Sequence, residues 1–254
     1  WSSGPGHINT FNSTGFVSRN NATLNNKTND AGMQAYYGLL TDNPQTISQF
    51  NHPGTTFGTF ADFAYYTPER DDVINMVEVG NGEGLVGSNG YFPSYQYYDM
   101  ALSKGWHLAP TNNQDNHKGG WGNANTCRSV VLTDDFSKEG IFQAMRDRAI
   151  YATEDENLSI LYTLNGYSMG SILPEAPDAL DFKVVISDPD GEALGTISII
   201  TEGGLELEKV TDIKDSSYTW EVHLDSVDYA YYYIRVVEAD KDIAVTAPVW
   251  ATAV

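Results

Sequence analysis

Beyond residue 157 the chain alternates apolar and polar residues in short runs, and nearly every run stops at a turn signal. Residues 158–164 run into Asn165-Gly166, 180–186 into Asp188-Pro189-Asp190-Gly191, and 195–201 into Glu202-Gly203-Gly204; 218–224, 229–238 and 243–250 complete the set. A period of two sends successive side chains to opposite faces, so such segments bury one face only as strands of packed sheets. Residues 156–254 are therefore expected to form an all-β, β-sandwich-like domain, with Asn165-Gly166 as a hairpin turn. The tyrosines of 229–236 admit two readings, a carbohydrate-binding strip or alternate rings packed into the sandwich; the second is favoured, since aromatic residues suit strand interiors.

Residues 1–155 have a different texture, rich in Asn, Gly, Tyr and Thr, and they hold four of the five histidines. A helix is expected over 34–40, a strand leading to Asn51-His52-Pro53, and a strand over 72–79 that ends at Gly80-Asn81-Gly82. A helix over 95–105 and a strand over 106–110 follow. Ser137 is an expected N-cap of a further helix, with Glu139 in its first turn. Strand and helix alternate, and polar candidates fall just after strands, the arrangement of an α/β barrel whose chemistry gathers at the carboxyl ends of its strands.

Asp115-Asn116-His117 is the sharpest of those candidates. A carboxylate and an imidazole two residues apart share one side of an extended segment, and both suit Zn, Mn or Fe. His52 is a second; Pro53 is expected to hold it extended, which aims an imidazole or merely ends a strand. Taken alone, His7 after Gly4-Pro5-Gly6 is an exposed turn residue. Glu78 either orients a ligand histidine or is an ordinary surface carboxylate. Asn81 and Asn113 are candidates to position substrate, and Arg128 to hold an anion or to pair with a neighbouring carboxylate. His107, inside a strand, is expected to be structural, His223 to be a surface or pairing residue, and Glu154 and Asp155 to lie at the domain junction. Cys127 is expected to pack.

The formal net charge is −20, and the negative charge is concentrated in the tail: residues 1–155 carry 16 acidic and 9 basic groups, the remainder 18 and 5. Without clustered Lys and Arg, a nucleic-acid partner or an anionic membrane surface is not expected. No apolar run is long enough to insert in a bilayer. Sparse Lys and a single Cys suit an exported, extracellular or cell-surface bacterial protein.

Gly6-His7-Ile8-Asn9, Phe50-Asn51-His52-Pro53-Gly54, Val77-Glu78-Val79-Gly80-Asn81-Gly82, Gly105-Trp106-His107-Leu108-Ala109-Pro110, the stretch from Asp115-Asn116-His117 to Gly122, and Tyr151-Ala152-Thr153-Glu154-Asp155 come in a particular order. In that order the chain resembles the PHP (polymerase and histidinol phosphatase) metal-dependent hydrolases, in particular the CehA/McbA-like branch, where a barrel precedes a β-rich tail. The resemblance implies a distorted (β/α)7 barrel carrying two or three divalent transition metals, Zn, Mn or Fe. It makes His7, His52, Asp115 and His117 the metal ligands, with Asp115 and His117 also catalytic. It implies hydrolysis of phosphoesters, or of related small esters or carbamates, by metal-activated water. The chain departs from the pattern in lacking the opening His-x-His pair and the acidic ligand before His7. The expectation is thus that an N-terminal barrel segment is missing, that fewer metals are held and that activity is weak. The competing expectation is a non-catalytic extracellular binding or scaffold module on a degenerate barrel.

Overall fold

The computed structural model describes residues 1–15, 17–18, 20–22, 24 and 30–251. It opens with β1 (Ser2–Ser3) and β2 (Gly6–Phe11), followed by α1 (Ala31–Thr41), β3 (Ile47–Asn51), the short turns α2 (Phe60–Phe63) and α3 (Pro68–Asp71), β4 (Ile74–Asn81), β5 (Phe92–Pro93), α4 (Tyr95–Ser103) and β6 (Ala109–Asn113). These strands make one six-stranded sheet in which β2 is antiparallel to β3 while β3, β4 and β6 run parallel. All eight residues of β4 are buried, as expected for a parallel strand covered on both faces. In α1, Met33, Tyr36, Tyr37 and Leu40 are buried, the three-and-four spacing of a single helix face. Among the described residues the sheet stays open rather than closing into a barrel.

Beyond β6 come β7 (Arg128–Val131), α5 (Lys138–Arg146) and β8 (Ile150–Thr153). The tail then supplies β9 (Ser159–Leu164), β10 (Tyr167–Ser168), β11 (Leu180–Ser187), β12 (Gly195–Thr201), β13 (Leu205–Ile213), β14 (Ser217–Leu224), β15 (Tyr231–Val237), β16 (Ile243–Thr246) and β17 (Val249–Trp250). They form a four-stranded sheet, β10-β9-β11-β14, and a seven-stranded one, β13-β12-β15-β16-β8-β7, with β17 on β15. On β9 and β11 buried and exposed residues largely alternate, the pattern of a sheet with one face on the core. The molecule is thus a mixed α/β unit joined to a β-rich unit.

Several local expectations hold. Ser137 Oγ accepts from the Gly140 amide at 3.1 Å and caps α5. Asn165 and Gly166 both have positive φ, 50° and 81°, as a type I′ turn requires. Tyr231, Tyr232 and Tyr233 are all buried, so they pack rather than form an exposed strip.

Others differ. The boundary expected at 155/156 falls just beyond a strand that belongs to the tail's sheet, because β8 pairs with β16 through Ala152↔Val245 and Thr153↔Ala244. A hydrophobic cluster containing Ile47, Met76 and Ala109 of the first unit also contains Ile160, Val184 and Ile199 of the second, so the two units share a core. The strand expected over 106–110 begins only at Ala109, because side-chain bonds fix the preceding residues: Trp106 Nε1 donates to the Phe63 carbonyl at 2.8 Å. Strand β13 had no clear sequence signal; its burial pattern is mostly exposed.

One strained segment packs beneath the site. Phe60, Ala61, Asp62 and Phe63 form a left-handed turn with φ of 54–56°, a conformation costing about 1–2 kcal/mol per residue. Burial of Phe60 and Phe63 against Phe50, at ring separations of 4.5 and 5.3 Å, offsets it. The Phe60 ring fills the space where a side chain on Gly6 would lie, and this brings β2 and the neighbouring His7 close to β3.

Candidate functional site

The parallel strands β3, β4 and β6 end on one side of the sheet, and the loops that follow them carry the candidates. His7 comes from β2, paired with Asn51 at the end of β3; His52 follows directly. Their rings meet edge to face, with His7 Nδ1 3.2 Å from His52 Nε2. Phe57 lies against both, at ring separations of 5.4 and 4.8 Å, and remains 49% exposed. His52 Nδ1 is buried with no hydrogen-bond partner.

Glu78 is the floor of this arrangement, only 3% exposed. Each of its oxygens accepts two hydrogen bonds: Oε2 from the His52 amide at 2.5 Å and Asn81 Nδ2 at 2.9 Å, Oε1 from Asn113 Nδ2 at 3.0 Å and Gln49 Nε2 at 3.1 Å. Burial pushes its pKa up to about 7 although Asn113, the His52 amide and Asn81 pull it down, and the nearby Asp115 charge adds to the rise. Of the two readings open for Glu78, the orienting one fits this geometry. Asn81 and Asn113 likewise spend their amides on Glu78.

His52 is not extended. Its φ is 29°, against the usual effect of a following proline, because its amide is turned inward onto Glu78. Burial lowers the His52 pKa, partly countered by Asp115, which favours the neutral imidazole that metal ligation requires.

Asp115 and His117 do not lie on an extended segment either. They stand on the loop after β6, with Asp115 at φ 45°, and the loop turns because the His117 amide donates to Glu83 Oε1 at 2.6 Å. Their side chains are exposed and 3.9 Å apart. His7, His52, Asp115 and His117 nevertheless line one cavity of ≈ 480 Å³. It adjoins a cleft of ≈ 890 Å³ that shares His52, Phe57, Asp115 and His117 and extends past Glu83, Phe92 and Tyr97. The four candidates share a cavity without being drawn into one tight ligand set.

The remaining candidates lie elsewhere. His107 is bound through its amide and Nδ1 to the two oxygens of Asp71, at 2.7 and 2.6 Å, and packs on Trp250. His223 sits exposed between Asp181 and Asp225. Arg128 donates to the carbonyls of Asn125 and Cys127 and pairs with Glu156 at 3.4 Å. Glu154 joins the units, accepting from Tyr91 and Tyr95 and from the Ile243 amide. Cys127 is buried, and burial pushes its thiol up to about 12.

Sequence reasoning missed Phe57, Gln49 and Glu83, none of which stands in a pattern that marks it. It also missed a second constellation. Among the described residues, the one group of three or more potential ligands whose atoms lie within 4.8 Å of one another is Asp155, Asp188 and Glu192, which could hold a metal ion. Asp188 belongs to a stretch read only as a turn, and Glu192 follows directly after it.

No protein-family model and no curated protein matches the chain. Among solved structures, an engineered protein aligns at TM-score 0.25 and 14% identity over 86% of this chain and 46% of its own. A double mutant of the Cellulomonas fimi endo-β-1,4-mannanase aligns at 0.23 and 14% over 85% and 44%. The chain spans less than half the length of these structures, and at such scores the superpositions do not relate the folds.

Proposed function

We propose that the cleft is a metal-assisted hydrolytic site acting on phosphoesters, or on related small esters or carbamates. The observation that carries this reading is the meeting of His7 and His52, 3.2 Å apart over the buried Glu78. Two imidazole nitrogens sharing a tetrahedral zinc, each at about 2.0–2.1 Å, stand roughly 3.3 Å apart. The observed spacing, between His7 Nδ1 and His52 Nε2, matches that edge. The residues fit one divalent transition metal, Zn, Mn or Fe. With all its lone pairs engaged, Glu78 is not available as the bridging carboxylate of a two- or three-metal cluster.

In this reading His7 and His52 hold the ion, and Asp115 and His117 line the same cavity. A bound divalent ion supplies Lewis acidity and an activated water. Glu78 fixes the His52 backbone through the amide bond and so sets the direction of the ring. Asp115 is placed to accept a proton, and His117 to donate one to the leaving oxygen. Phe57 and Phe92 give the cleft an apolar wall, which suits an ester with an apolar group better than a highly charged phosphate. Positive φ at both His52 and Asp115 supports the assignment, since such strain gathers at functional sites.

The test is elemental analysis after loading with Zn²⁺ or Mn²⁺ and removal of excess. One transition metal per chain is expected, lost in a His7→Ala/His52→Ala variant, together with slow cleavage of a chromogenic phosphodiester that His117→Ala abolishes. A chain that retains no metal overturns the reading and leaves a non-catalytic binding module in its place.

A further inference from the structure

Three loops meet at one end of the β-rich unit. The first follows β8 and carries Asp155 and Asn157, the second joins β11 to β12 and carries Asp188 and Glu192, and the third joins β15 to β16 and carries Glu238, Asp240 and Asp242. The carboxylates of Asp155, Asp188 and Glu192 have ligand atoms within 4.8 Å of one another. An acidic cluster alone is commonplace. This one contains Glu238, 1% exposed, with neither carboxylate oxygen hydrogen-bonded. The charges that act most on Glu238 are those of Asp155, Glu192, Asp188 and Asp240, so it lies within electrostatic reach of the cluster.

The unpartnered atoms share one chemistry. Asp188 Oδ2 and Asn157 Oδ1 are also buried without a hydrogen-bond partner. All four orphans here are oxygens that accept, whereas buried acceptors normally have a donor. Among the described residues no Lys or Arg forms an ion pair with any of these carboxylates. The loops are otherwise well built. Asp188 uses Oδ1 to hold the Asp190 amide at 2.6 Å, Asp155 uses Oδ1 to hold the amides of Asn157 and Leu158, and Asn157 Nδ2 bonds Asp190 at 2.7 Å. A rigid set of oxygen acceptors with unmatched negative charge lacks only a cation.

We propose that these loops form a Ca²⁺ site, with Asp155, Asp188, Glu192 and Glu238 as its carboxylate ligands and Asn157 Oδ1 as a neutral one. Oxygen-only donors from three separate loops suit calcium, which accepts six to eight oxygens in variable geometry, rather than magnesium, which demands an octahedron and keeps its waters. The absence of His or Cys from the set argues against zinc. Because Asp155 follows β8 and Glu238 follows β15, the ion would clamp loops from strands on either side of β16. The site is independent of the histidine cleft.

The test compares thermal unfolding in EDTA, CaCl2 and MgCl2, with calorimetric titration of Ca²⁺ into metal-stripped protein. One Ca²⁺ per chain is expected, with a melting temperature raised by on the order of 5 °C at saturation and a weaker response to Mg²⁺. Glu238→Gln should abolish the Ca²⁺ response and, in EDTA at a pH above about 8 where Glu238 ionises, melt above the unaltered protein, because there it removes an unpaired buried charge. The His7→Ala/His52→Ala variant should keep the response in full. No shift with Ca²⁺, an equal shift with Mg²⁺, or an unchanged response in Glu238→Gln would overturn the proposal. If Glu238→Gln fails to fold, Glu192→Gln, at a half-buried position, decides: roughly tenfold weaker Ca²⁺ binding supports the site, and unchanged binding sinks it.

Discussion

Glu78, within β4, and Glu238, just after β15, are both buried, one below the cleft and one among the loops of the sandwich, and their surroundings are opposite. Four N–H groups converge on Glu78, while none reaches Glu238. Burial raises both pKa values, to about 7 and about 8, but for Glu238 the next causes are other carboxylates. A buried carboxylate with every lone pair engaged acts as scaffold: it fixes the residues that do the chemistry. One with nothing engaged is tolerable only if it takes up a proton or something outside the chain completes it.

The contrast breaks most visibly under truncation. Glu78→Ala strands the donors of Gln49, Asn81, Asn113 and the His52 amide, and should cost about 3 kcal/mol or more, read by urea denaturation. Glu238→Ala measured in EDTA should cost far less, or stabilise. Equal losses would show that the two carboxylates play the same part.

A second comparison is between histidines. His107 is spent on Asp71, so Asp71→Ala, which strands a buried imidazole and the His107 amide, should cost about 2–3 kcal/mol and leave the transition-metal content unchanged. His52→Ala should do the reverse, removing the metal at a cost of about 1 kcal/mol. Elemental analysis beside denaturation separates them; loss of metal in Asp71→Ala would mean that His107 is coupled to the cleft.

The same pair shows what the sequence made legible. Period-two alternation marked nearly every strand of the tail, and the spacing in α1, α4 and α5 marked those helices, because these signals are local. The meeting of His7 with His52 was reachable only through the order of motifs, since 45 residues separate them and nothing near either predicts contact. The extended conformations expected of His52 and Asp115 fail for one reason: each is set by an amide turned onto a distant carboxylate, Glu78 or Glu83. The acidic loops were invisible for a related reason. Asp188-Pro189-Asp190-Gly191 is an ordinary turn until Glu238, far along the chain, is folded against it. The partial barrel implied by resemblance is not shown: among the described residues the first unit's sheet is open, and β7 and β8 join the tail's sheet.

Within the cleft a smaller effect is expected at Phe57. Its ring covers both imidazoles without bonding to either, so Phe57→Ala should keep the metal and raise KM by roughly tenfold with kcat little changed. A fall in kcat at constant KM would instead mean that the ring positions His7 and His52.

The smallest expected effect lies between the two regions, at Asp99. This α4 residue accepts from Tyr233 of β15 at 2.7 Å and lies against Gly204, where a Cβ would come within 2.7 Å of its carboxylate. Burial raises its pKa, while the Tyr233 hydroxyl and the Arg235 charge pull it back. The folded chain therefore holds this proton more tightly than the unfolded chain. The stabilisation is complete below the ordinary carboxyl pKa, about 3.9, and is lost as pH rises through the raised folded value. An asparagine side chain does not ionise but keeps an oxygen for Tyr233, so Asp99→Asn should remove that slope and leave the hydrogen bond. The stability of the unaltered protein relative to Asp99→Asn should then fall with rising pH over that window and level off above it, measured by urea denaturation of both proteins. A difference that rises with pH would mean that the ionised carboxylate is favoured at this junction, and that Tyr233 and Arg235 outweigh burial.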